Sequence, residues 1–182
     1  MKVILGITGA SGSIYGYTLL CLLQQKKVDV SVILTSMGER VLAYECGITR
    51  DEIAAKATLY ADDDLFAPIA SGSCLYDAMV VAPCSMNTLG QIAGGQSGTL
   101  LTRCASVALK EKRPLITLVR ETPLNTIQIN NMLRLAQAGA IIMPACPGFY
   151  KKPERISDLV GGIAYRILDQ LGIPAKEAKR WQ

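Results

Sequence analysis

Short apolar runs of strand length alternate with segments of helical spacing along almost the whole chain, and this alternation constrains the fold most. Lys2–Thr8, Val28–Leu34, Ala78–Ala82, Pro114–Val119 and Ala140–Met143 are the apolar runs. They read as near-continuous hydrophobics, as strands buried on both faces do. Ser13–Gln25, Met37–Tyr44, Asp51–Ala57, Leu89–Gly94, Leu100–Lys112 and Thr126–Ala138 lie between them, and Ser157–Leu171 follows the last. Strand–helix alternation of this kind predicts a doubly wound, Rossmann-like α/β fold: one parallel sheet, right-handed crossovers, helices on both faces. At 182 residues the chain is expected to be a single domain over 1–174 with a short charged tail over 175–182.

Local punctuation agrees. Ser36 and Thr49 are the expected N-caps of the second and third helices, and Gly139 closes the helix before the last strand. Residues 58–76 are the least regular stretch, with Asp62-Asp63-Asp64 followed by Ser71-Gly72-Ser73. They are read as a long loop, and long loops in compact domains often carry function.

Composition removes several classes of function. The chain has no histidine, which excludes Ser-His-Asp and Cys-His catalysis and the usual zinc sites. No metal site is expected. Acid–base work falls to Glu, Asp, Lys, Tyr or a hydroxyl. The net charge is +4, and its basic clusters, Lys110–Arg113 and Lys176–Arg180, are not interleaved with aromatics, so no nucleic-acid partner is expected. No apolar run approaches the ~18 residues of a membrane span, and Met1-Lys2 leads straight into the first strand without a signal peptide, so a cytoplasmic protein is expected. Six cysteines without a C-x-x-C pair read as reduced, mostly buried small hydrophobes; Cys84, at a strand end, is read as packing rather than reactive.

The strand ends carry the chemistry. In an open parallel sheet, ligands bind outside the carboxyl ends of the strands, where the strand order reverses. The first strand runs into Gly9-Ala10-Ser11-Gly12, whose N–H groups and following helix suit an anion. The glycines Gly6, Gly9 and Gly12 are three apart, so the dinucleotide fingerprint is absent, and no acidic residue ends the second strand to hold a ribose diol. A mononucleotide or flavin phosphate fits better than NAD. Pro83-Cys84-Ser85-Met86-Asn87-Thr88 places Ser85 and Thr88 three apart at a helix start, for a ligand or for N-capping. Arg120-Glu121 directly follows an apolar strand, which makes Glu121 a candidate proton donor or acceptor.

Read together, Thr8–Gly12 with Tyr15-Gly16, Ser71-Gly72-Ser73, Pro83-Cys84-Ser85 with Thr88, Arg103, Leu109–Glu111 with Arg113, Arg120–Leu124, Pro147–Tyr150, Arg166–Asp169 and Arg180-Trp181 resemble the UbiX-type flavin prenyltransferases, a family once called aromatic acid decarboxylases. The resemblance implies transfer of a dimethylallyl group from dimethylallyl phosphate to N5 and C6 of reduced FMN, making the prenylated cofactor of UbiD-type decarboxylases. It implies that Gly9, Ala10, Ser11, Ser36, Arg120 and the turn Ser85, Met86, Asn87 and Thr88 hold the flavin. It implies that Arg103, Lys110, Tyr150 and Arg166 hold the prenyl phosphate, some of them crossing from a neighbouring subunit of a homododecamer. Ser11 and Glu121 are implied in proton handling, with Glu45 near the prenyl site and Trp181 covering the pocket. Taken singly, Lys110 also fits a solvated helix end, and Arg166 a pairing with Asp169 across one helical turn. The alternatives are a flavin-dependent cysteine decarboxylase, which relies on a histidine this chain lacks, and a flavin-binding subunit of a decarboxylase complex.

Overall fold

The structure, a computed structural model, describes residues 1–150 and 152–175. The strands are β1 (Lys2–Ile7), β2 (Asp29–Leu34), β3 (Thr58–Ala61), β4 (Ala78–Cys84), β5 (Leu115–Val119) and β6 (Ile141–Pro144). The helices are α1 (Ser13–Gln25), α2 (Ser36–Cys46), α3 (Arg50–Ala54), α4 (Met86–Ala93), α5 (Leu100–Lys110), α6 (Thr126–Gln137) and α7 (Ile156–Gln170), with a short 3-10 helix at Pro68–Ala70. All strands pair in parallel in the order β3-β2-β1-β4-β5-β6. This is the expected doubly wound α/β sheet.

Alternate residues of each strand feed two separate cores. Val3, Leu5 and Ile7 face the layer built by α1, α2 and α7, while Ile4 faces the layer of α4, α5, α6 and the 3-10 helix. Leu19, Leu20 and Leu23 of α1 are fully buried, and each stabilises the fold by ~1.5–3 kcal/mol relative to exposure. Two helices come unusually close to the sheet. A Cβ at Gly16 would strike the carbonyl oxygen of Ala82, and one at Gly38 would strike that of Ile7. Glycine at these positions lets α1 and α2 begin directly against the ends of β4 and β1.

Three expectations are corrected. The segment 58–76 is not wholly irregular, because Thr58–Ala61 is an edge strand paired to Ser31–Leu34. It is four residues long and only partly buried, so it lacks the long apolar run that marks the inner strands. The N-cap of α2 is Thr35, whose hydroxyl accepts from the Gly38 N–H at 3.0 Å; Ser36 is the first helical residue. Either hydroxyl suits a cap, and the extended backbone of Thr35 decides. Helix α4 starts at Met86, a turn before the expected Leu89, because Ser85 caps it. Gly139 takes the left-handed conformation (φ 98°) beyond α6, as a helix-ending glycine does.

Candidate functional site

The strand order reverses between β1 and β4, so their carboxyl ends frame the crevice where an open α/β sheet binds its ligand. The two ends are tied by one buried side chain. The Thr8 hydroxyl donates to Pro83 O at 2.7 Å and accepts from the Ser85 N–H at 2.9 Å. Ser85 in turn accepts from the Thr88 N–H at 3.2 Å and donates its own hydroxyl to Thr88 Oγ1 at 3.1 Å. That cap leaves the first N–H groups of α4, those of Met86 and Asn87, without partners inside the helix, and the Thr88 hydroxyl hydrogen is free for a ligand. Asn87 is exposed and Met86 half-buried. The next strand joins the same frame, since the Arg120 N–H donates to Cys84 O at 3.4 Å.

The first turn behaves differently from the sequence-based expectation. Gly9 packs against Met37, whose Cβ would lie 2.6 Å from a Cβ at position 9, and Ala10 is buried. The N-terminus of α1, however, is already met by a carboxylate from α2. Glu45 Oε2 accepts from the N–H groups of Gly12 (2.9 Å) and Ser13 (3.0 Å) and from the Ser13 hydroxyl (2.8 Å). Partial burial pushes the Glu45 carboxyl up, but hydrogen bonds from the Ser11 and Ser13 hydroxyls and the two N–H groups outweigh it and hold the group below its ordinary value. The first N–H groups of α4 and of α2 remain without partners inside their helices, and at the start of α2 Ser36 and Met37 are exposed. Ser36 also lines a cavity of about 350 Å³ with Leu34, Arg50, Asp62 and Thr99, at the ends of β2 and β3. Burial raises the Asp62 carboxyl against hydrogen bonds from the Leu101 N–H and the Thr99 hydroxyl; this residue fastens the end of β3 to the head of α5.

At the rim, Arg120 and Glu121 are exposed, and the Glu121 carboxylate accepts from the Thr122 N–H at 3.0 Å. Tyr15, on the first turn of α1, stands within electrostatic reach of Arg120 and Cys146. Burial raises its phenol above the ordinary value, the Cys146 thiol adds to this, and Arg120 opposes it. Cys84 is fully buried and its thiol is pushed up to about 12, so it packs rather than reacts. Cys146, by contrast, is exposed rather than buried.

The residues expected around the prenyl phosphate divide between the two faces of the sheet. Arg103 and Lys110 lie on α5. The Arg103 Nε donates to Ala70 O at 3.0 Å, and Lys110 pairs with Glu111 above Gly72. Arg113, on the same side, grips Gly72 O and Cys74 O at 2.9 and 2.8 Å and lies 4.3 Å over the Tyr76 ring. The Ser71-Gly72-Ser73 segment is thus strapped to α5 and to the turn that follows it. Tyr150 and Arg166 lie in the opposite layer, where they line a cavity of about 560 Å³ between α1, α7 and the segments 146–150 and 152–153. Arg166 pairs with Asp169 at 2.9 Å, the local contact its spacing predicts. One protomer does not bring the four together. Trp181 lies outside the described residues.

Thr8 and Tyr15 belong to the motifs read from the sequence, but no role follows for them from sequence alone. Their signals are positional: Thr8 is the polar residue directly after an apolar strand, and Tyr15 is three residues past a turn glycine. Among the described residues no cluster of His, Cys, Asp and Glu is placed to hold a metal, and no helix is long and apolar enough to cross a membrane.

A parallel sheet of this order, with hydroxyls and unspent N–H groups at its switch point and an arginine on the next strand end, is the frame of a mononucleotide-binding flavoprotein. A family model described as Flavoprotein matches residues 1–167. The flavin prenyltransferase UbiX of Methanocaldococcus jannaschii is 46% identical over 182 residues, covering all of this chain and 98% of its own. A crystal structure of a UbiX protein, PadA1, in complex with FMN and dimethylallyl pyrophosphate superposes with a TM-score of 0.98 at 36% identity, covering 100% of this chain and 97% of that one. A dodecameric FMN-dependent UbiX-like decarboxylase from Escherichia coli O157:H7 gives 0.97 at 38% identity, with both chains fully covered. The chain belongs to the UbiX family of flavin prenyltransferases.

Proposed function

We propose that this protein is a metal-independent flavin prenyltransferase. It joins the dimethylallyl group of a dimethylallyl phosphate to reduced FMN, which supplies N5 and C6 as the acceptor atoms. The observation that carries the reading is the switch-point cradle: unspent first-turn N–H groups at α2 and α4, the Ser85–Thr88 hydroxyls, and Arg120 at the end of β5. Gly9, Ala10, Ser11, Ser36, Ser85, Met86, Asn87, Thr88 and Arg120 form the flavin side of the site. Because Glu45 closes the head of α1, the flavin phosphate is held at the α4 and α2 ends, and Glu45 orients Ser11 at the mouth.

Arg103, Lys110, Arg166 and the Tyr150 hydroxyl hold the prenyl phosphate. Breaking its C–O bond leaves further negative charge on the phosphate, and cationic donors with a phenol stabilise that charge in place of a metal. Glu121, at the rim, takes the proton that flavin C6 loses as its new bond forms, or gives one to the leaving phosphate. Within one chain these phosphate ligands lie in opposite layers, so a complete site takes α5 from one copy and the α7 layer from another. A homododecamer supplies that arrangement. Exposed Tyr44, Phe66, Leu75 and Ile127 suit faces between copies. The product passes to a UbiD-type decarboxylase, in the cytoplasm.

The cysteine decarboxylase reading is not favoured, since the chain has no histidine and its high identity is to prenyltransferases; the binding-subunit reading is not favoured on the same identity. The test is anaerobic incubation of the purified protein with reduced FMN and dimethylallyl phosphate, followed by mass spectrometry of the flavin. A five-carbon adduct is expected. Its absence, with flavin bound, refutes the reading.

A further inference from the structure

We infer that Thr8 is a positioning residue of the flavin site, the side chain that sets the Ser85–Thr88 turn; the inference rests on the flavin reading above. The backbone ladder between β1 and β4 runs only to the pair Gly6–Val81. Beyond it the pairing of β4 with β5 shifts register between Val81 and Cys84, and Pro83 has no N–H to offer a neighbouring strand. So the segment that carries the flavin turn has no main-chain ladder left on its β1 side, and only Cys84, paired with Val119, still ties it to β5.

Thr8 takes over there. It is 1% exposed. Its hydroxyl spends its hydrogen on Pro83 O and a lone pair on the Ser85 N–H. Two backbone groups flanking Cys84 are thereby fixed to the end of β1. With its N–H fixed, Ser85 holds the extended backbone (φ −71°, ψ 154°) from which its hydroxyl caps α4. The cap aims the Met86 and Asn87 N–H groups outward and leaves the Thr88 hydroxyl hydrogen available. The same segment receives the Arg120 N–H at Cys84 O. One hydroxyl therefore registers the ends of β1 and β4, to which the Arg120 N–H joins the end of β5, while Tyr150 and Arg166 line a separate cavity.

The chemistry predicts a sharp contrast between isosteres. Serine keeps the donor and the acceptor. Valine keeps the shape, loses both, and leaves a part-buried N–H and a buried C=O without this partner. The experiment measures the FMN dissociation constant by quenching of flavin fluorescence, the donor KM at saturating flavin, and the melting temperature, for wild type, Thr8→Ser and Thr8→Val. Thr8→Val is expected to weaken FMN binding by ~10-fold or more, with the donor KM changed by less than ~2-fold, and Thr8→Ser to bind FMN within ~3-fold of wild type. Should Thr8→Val fail to fold, Thr8→Cys, a weaker donor and acceptor, replaces it, with binding expected between wild type and a full loss. A valine or cysteine variant that melts lower but binds FMN as wild type does overturns the inference. So does a serine variant as weak as the valine one, or a donor KM that rises in parallel with the flavin constant. A wild-type protein that binds no FMN removes the parent reading itself.

Discussion

If α5 and the α7 layer of different copies complete one site, two inactive variants should rescue each other. Arg103 sits on α5, in the layer of the 3-10 helix, and Arg166 on α7, in the layer of α1. Each is proposed to make a charge-assisted contact to the prenyl phosphate worth ~1.5–3 kcal/mol, so Arg103→Ala and Arg166→Ala should each lower turnover by ~10–100-fold. Co-expressed in equal amounts with different tags, the two variants assemble at random. Half the copies then supply an intact Arg103 and half an intact Arg166. When these come from different copies, about one quarter of the sites hold both arginines, and the mixed oligomer should recover about one quarter of wild-type activity. When both come from the same copy, no site is intact. The assay is the rate of five-carbon adduct formation by doubly tagged oligomers under anaerobic conditions. Activity no higher than the mean of the two parent variants would refute the shared site.

Two further outcomes test the frame around the site. Gly38→Ala places a methyl group against Ile7 O; overpacking of this kind costs ~1–3 kcal/mol and should lower the melting temperature by ~3–10 °C in a domain this size, whereas a shift below ~1 °C would show that α2 can back away from β1. Glu45, held below its ordinary value of 4.5, contributes stability that is present above the unfolded pKa and is lost as pH falls through the folded one. The melting temperature of wild type should therefore exceed that of Glu45→Gln at pH 7, and the gap should shrink below ~pH 4; a gap independent of pH would mean that the charge on Glu45 does not act at the α1 terminus.

Much of this fold is legible in the sequence because its inner strands are buried on both faces. Ala78–Ala82 and Leu115–Val119 can be little else in an alternating chain. β3 escapes because an edge strand needs a single neighbour and only partial burial, so Thr58–Ala61 carries no sustained apolar run. The site divides in the same way. Which hydroxyls and arginines reach the sheet's ligand edge follows from their place after an apolar run, as for Ser85 and Arg120. What fills the head of α1 does not follow, because Glu45 arrives from 33 residues away through tertiary packing of α2 on α1. Nor does local spacing reveal that Arg103 and Arg166 lie on opposite sides of the sheet; that depends on which face each crossover takes.

The Glu45 clamp has a bearing on turnover. A prosthetic group stays put and can serve as part of the scaffold, but a flavin that is consumed as acceptor leaves with every cycle. A mouth that relied on its guest's phosphate to quiet the head of α1 would have its donors bare one moment and satisfied the next. By tethering its own anion there, the chain keeps that turn in one shape whether the crevice is empty or full, and release of the finished product need not loosen the entrance for the next molecule.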